Sequence, residues 1–126
     1  MIIFERDRKT NYVDANNRVL GYDSDQQCCE QHGSGVFRKE DKNLFFESAT
    51  TRAHYDPPAP SGFSIQTEGY AFVDERPEPC GETLWFRLQK EGEADLFVCL
   101  WNFHNGYYSH GFEFSPKSGF LTEGGL

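Results

Sequence analysis

Residues Glu82-Thr83-Leu84-Trp85-Phe86-Arg87-Leu88-Gln89 decide the fold. Leu84, Phe86 and Leu88 fall on one side of an extended chain, and Thr83, Trp85, Arg87 and Gln89 on the other. A period of two is the mark of a β-strand with one apolar face. Lys90-Glu91-Gly92-Glu93 then supplies a turn. Leu96-Phe97-Val98-Cys99-Leu100-Trp101 follows as an almost unbroken apolar run, the pattern of a central strand covered on both faces. Asn105-Gly106 is a strong hairpin signal, and Tyr108, His110, Phe112 and Phe114 alternate after it. Residues 82–114 therefore read as a three-stranded antiparallel meander.

Upstream, Met1 to Glu5 is a strand candidate. Asn11 to Asp14 and Arg18 to Tyr22 flank Ala15-Asn16-Asn17, and Asn tolerates the left-handed backbone that tight hairpins need. Ser24 or Asp25 caps a predicted short helix near residues 25–32, which Gly33-Ser34-Gly35 would end. Val36 to Arg38, Phe63 to Thr67 and Tyr70 to Asp74 are further strand candidates. Arg76 to Gly81 reads as a loop, and so does the proline-rich stretch 48–62, either a lid or a plain connector. The expected fold is mainly β: an antiparallel sheet folded as a sandwich or open barrel, with one short helix.

The 126 residues match a single domain, 1–126, large enough to bury a core without disulfides. Twelve Phe, six Tyr and two Trp make that core ring-rich, and aromatic residues favour strands. The net charge is −8. Residues 1–63 hold 8 basic and 10 acidic residues, for −2, and residues 64–126 hold 4 and 10, for −6. Such a surface repels nucleic-acid backbones and anionic membranes. No leader-like segment or twenty-residue apolar span is present, so a cytoplasmic location with cysteines as thiols is expected.

Four cysteines stand at 28, 29, 80 and 99. On a helix, Cys28 or Cys29 would share a face with His32, giving two ligands of a metal site. Zinc would need further ligands from His54, Cys80, His104 or His110, whose spacing does not suggest it. Cys28 in a first helical turn would also suit a lowered thiol pKa. The competing reading makes these cysteines structural. No nucleotide loop, serine elbow or framed carboxylate pair occurs, so a non-enzymatic function is favoured and no cofactor is expected.

Leu20-Gly21-Tyr22-Asp23 with Gln26-Gln27-Cys28-Cys29-Glu30 resembles a segment of small uncharacterised bacterial and phage proteins. In these, a β-hairpin precedes a Q-x-C-C-E stretch. The resemblance covers about twenty residues and implies no catalytic residues, because that group has no assigned activity.

Three functions follow as expectations. The first is a protein-interaction or self-association module using exposed rings: Trp85 on the polar side of its strand, with Trp101, Tyr107 and Tyr108. The alternative for each ring is a second core layer. The second is a metal- or thiol-dependent protein using Cys28, Cys29 and His32. The third is a binder of a small ligand, such as a carbohydrate, in an aromatic β cleft lined by Trp101, Tyr107 and Tyr108.

Overall fold

The computed structural model describes residues 1–25, 31–41, 65–73, 77–80, 82–103, 110–115 and 122–125. These form ten strands: β1 (Ile2–Arg6), β2 (Lys9–Val13), β3 (Val19–Asp23), β4 (Gln31–Arg38), β5 (Ala71–Phe72), β6 (Glu78–Cys80), β7 (Thr83–Gln89), β8 (Leu96–Phe103), β9 (Gly111–Phe114) and β10 (Thr122–Gly125). One helical turn occupies residues 39–41. The strands make two antiparallel sheets, ordered β1-β2-β3-β9-β10 and β4-β8-β7-β5, with β6 also paired to β7. The chain is thus a mainly β sandwich that does not close into a barrel.

Local chemistry explains the first hairpins. β1 and β2 join through Asp7 and Arg8, both at positive φ (54° and 62°), the backbone that matches the twist of a two-residue hairpin. The β2–β3 turn places Asn17 at φ 62°, as the asparagine-rich stretch implied. The β7–β8 hairpin also forms as read, with Thr83 opposite Trp101 and Leu88 opposite Leu96.

The main core lies between the sheets. Tyr12, Leu20, Tyr22, Phe112 and Phe114 meet Val36, Phe72, Phe86, Leu88, Val98 and Leu100 there. Phe72, Phe86 and Phe114 pack edge to face, with the Phe114 centroid 5.0 Å from each of the other two. Such pairs contribute roughly 0.5–1.5 kcal/mol beyond area burial. A second cluster (Phe37, Trp85, Phe97, Cys99, Trp101) covers the opposite face of the β4-β8-β7 sheet.

Three expectations are corrected. Residues 82–114 are not one meander: β9 leaves the β7–β8 hairpin and pairs with β3, Leu20 opposite Phe114. Its apolar face thereby closes the core from the other sheet. The predicted helix near 25–32 does not reach its end, because Gln31 and His32 open the eight-residue β4; residues 26–30 lie outside the described set. Gly33 is a strand residue and not a helix stop. A Cβ there would meet the Trp101 ring at 2.6 Å, so the indole needs the missing side chain. Finally, Glu78–Cys80, read as loop, pairs with β7 at the sheet margin, where Pro79 is tolerated.

Candidate functional site

Trp85 and Trp101 are not surface rings. They are 1% and 8% exposed, and the Trp85 indole donates to Thr83 Oγ1 at 2.8 Å. Phe37 packs edge to face on both indoles. They form the second core layer, which removes them as exposed interaction residues. Tyr107, Tyr108, Cys28 and Cys29 lie outside the described residues.

His32 is described and lies on β4. Its ring stacks on His110 with centroids 3.7 Å apart and planes 14° from parallel. Nitrogens of stacked rings lie in separate planes and do not converge on one ion. His110 is fully buried; its Nδ1 is 3.2 Å from the Asp23 carbonyl and 3.6 Å from the Asp23 carboxylate. Among the described residues no group of three or more His, Cys, Asp or Glu is placed to hold a metal ion.

The structure draws attention instead to one strand, β1. Each of its five residues is exposed. Ile2, Ile3 and Phe4 are 66%, 48% and 39% exposed, three consecutive large apolar side chains in contact with water. Among the described residues β1 hydrogen-bonds only to β2, so its other edge presents main-chain donors and acceptors. Native sheets usually blunt such edges with charge, proline or a covering element. Here the apolar residues occupy the strand and the charges, Glu5 and Arg6, come only at its end.

The strand has two faces. Ile3 and Glu5 stand opposite Tyr12 and Thr10 and point between the sheets; Ile2, Phe4 and Arg6 point away. The inward face borders a cleft of about 640 Å³ whose far wall is β4 and whose end is the segment at Ile65 and Thr67. Its polar groups are tied together. The Tyr12 hydroxyl donates to Ser34 Oγ at 2.7 Å. The Tyr22 hydroxyl donates to the Trp101 carbonyl at 3.0 Å. The Glu5 carboxylate accepts from the Thr10 hydroxyl and from Ser24 Oγ, the latter at 2.8 Å. Burial pushes the Tyr12 phenol up to about 12 and raises Tyr22 as well, so both stay neutral donors at physiological pH.

No known protein family, curated protein or solved structure matches the chain. No described helix is long and apolar enough to cross a membrane. Function must therefore be argued from geometry alone. Sequence reading found β1 as a strand but had no signal for its edge position, which depends on how β3 and β9 pair. The cleft joins residues from Ile3 to Thr67 and has no local signature.

Proposed function

We propose that this chain is a protein-interaction module that associates with a second copy of itself by strand addition along β1. The observation that carries the reading is the run Ile2-Ile3-Phe4, exposed on a strand that, among the described residues, is paired on one edge only. Strand addition uses the edge's main-chain groups for affinity and its alternating side chains for selection.

A second copy is favoured as partner because the strand is self-complementary. In an antiparallel two-fold pair centred on Ile3, that residue faces its own symmetry mate and Ile2 faces Phe4 of the other copy, twice. Every central cross-strand pair is then apolar. Pairs of this kind contribute roughly 0.2–1 kcal/mol each. Glu5 and Arg6 fall outside the centre, so no like charges are opposed. The net charge of −8 acts against association at long range, and salt screens that repulsion. Five residues make a short interface, so the dimer is weak and concentration dependent.

The test is sedimentation velocity or light scattering from micromolar to millimolar protein. The expected result is a monomer–dimer equilibrium that tightens as salt is added and is lost in Ile2→Lys with Phe4→Lys. Each of those lysines would face a lysine of the other copy. A chain that stays monomeric at millimolar concentration, or a dimer that survives the double substitution, overturns the proposal.

A further inference from the structure

The inward face of β1 borders a cleft that is separate from the strand's edge. Among the described residues Glu5 is the only carboxylate bordering the 640 Å³ cleft, and its surroundings are unusual for an acid in this part of the chain. The neighbouring bases are engaged elsewhere: Arg6 with Asp7 at 3.8 Å, Arg8 with Asp25 at 3.6 Å and Lys9 with Glu113 at 3.0 Å. Among the described residues no cation pairs with Glu5. Two hydroxyls, Thr10 on β2 and Ser24 just beyond β3, hold its carboxylate instead. Hydroxyl donors orient a carboxylate without neutralising it, and they leave lone pairs on both oxygens open to further donors.

The rest of the lining mixes the polar side chains of His32, Ser34 and Thr67 with apolar ones. Ile3 and Val36 stand on opposing walls with Ile65 at the end. The hydroxyls of Tyr12 and Tyr22 are spent on Ser34 and the Trp101 carbonyl, which leaves their rings, and not further hydroxyl groups, as lining. Aromatic faces attract organic cations. The volume suits a small organic molecule. A free metal ion fits less well, because hard cations take six or more oxygen ligands and only one carboxylate is offered.

We infer that the cleft between β1 and β4 is a binding site for a small organic cation, a primary amine or guanidinium seated on Glu5 with a short apolar body against Ile3, Val36 and Ile65. Thr10 and Ser24 are positioning residues that fix the carboxylate. The overall negative charge of the chain favours the approach of a cation and disfavours an anion.

The probe is n-pentylamine, with 1-pentanol as its uncharged counterpart, titrated into the full chain and followed by amide chemical shifts. Saturable binding of the amine is expected, with shifts at Thr10, Tyr12 and Ser34. A charge-assisted hydrogen bond implies that pentanol binds roughly tenfold more weakly or worse. Glu5→Gln keeps the shape, with one of the two hydroxyls accepting from the amide instead of donating to it, and should lose at least about the same factor for the amine. Its thermal melt should be unchanged, because Glu5 is exposed. No binding of pentylamine at millimolar concentration, equal binding of amine and alcohol, or equal amine binding by Glu5→Gln would each overturn the assignment. Because Ile2 and Phe4 point away from the cleft, Ile2→Lys with Phe4→Lys should bind the amine as the parent does; loss of binding there would contradict the separation of the two faces.

Discussion

The two sheets meet very differently at the β2–β3 turn and at the β1–β4 side. At the turn they are stitched. Asp14 is 4% exposed and accepts from the Asn16, Arg18 and Phe72 amides at 2.9, 2.8 and 2.9 Å. Arg18 donates back to the Phe72 carbonyl, and the Ala15 amide donates to the Tyr70 carbonyl at 3.0 Å. Five hydrogen bonds thus bind the turn to itself, to Tyr70 and to β5. At the other side, among the described residues, the Tyr12 and Tyr22 hydroxyls reach across to Ser34 and Trp101 beside the cleft of about 640 Å³. The lesson is that a sandwich can concentrate its inter-sheet bonding in one place and leave another free to bind. The stability of the fold resides where the sequence is spent on buried partners; the binding surfaces reside where it is not.

That contrast predicts a graded series. Phe72→Ala should be the most costly change, at about 3–5 kcal/mol, because the ring is buried against Phe86 and Phe114 at the stitched turn; urea unfolding measures it. Asp14→Ala should follow at about 3 kcal/mol, since three amides lose a charged acceptor. A cost near zero would show that the turn does not hold the sheets. On the open side, Tyr12→Phe should cost only about 1 kcal/mol at neutral pH.

Its pH dependence is more specific. Burial holds the folded Tyr12 phenol at about 12, above the ordinary value near 10. Below pH 10 both states keep the proton and stability is unaffected. Above it the unfolded chain loses a proton that the fold retains, so stability falls through about pH 12, by on the order of 1 kcal/mol per pH unit. Unfolding midpoints at pH 9 and 11 should differ less in Tyr12→Phe than in the parent. The smallest stability effect belongs to Ile2→Lys with Phe4→Lys, within roughly 0.5 kcal/mol, although this variant should abolish association.

The strands legible in the sequence were those whose pattern is local. Leu84, Phe86 and Leu88 alternate, and all three line the main core. The turn at Ala15 to Asn17 carries its own backbone preference. The failures were long-range. Trp85 looked exposed because Thr83, Arg87 and Gln89 share its side, yet Phe37 and Phe97, distant in sequence or on the next strand, cover it. Gly33 looked like a helix end because only Trp101, its cross-strand partner in β8, reveals why glycine is needed. The change of sheet between β8 and β9 depends on the pairing of β9 with β3, nearly a hundred residues away in the chain. At the candidate site, the His32–His110 stack and the grouping of Glu5 with Thr10 and Ser24 arise only when β1, β3 and β4 are assembled. Cys28, Cys29, Tyr107 and Tyr108 fall outside the described residues.

The most direct test of an offered edge is amide hydrogen exchange at two protein concentrations. If β1 pairs with a second copy, the β1 amides that face away from β2 become slower to exchange as concentration rises, while the β1 amides bonded to β2 and those of Lys9–Val13, already between two strands, do not change. Exchange of β1 that is the same at micromolar and millimolar protein would contradict the account.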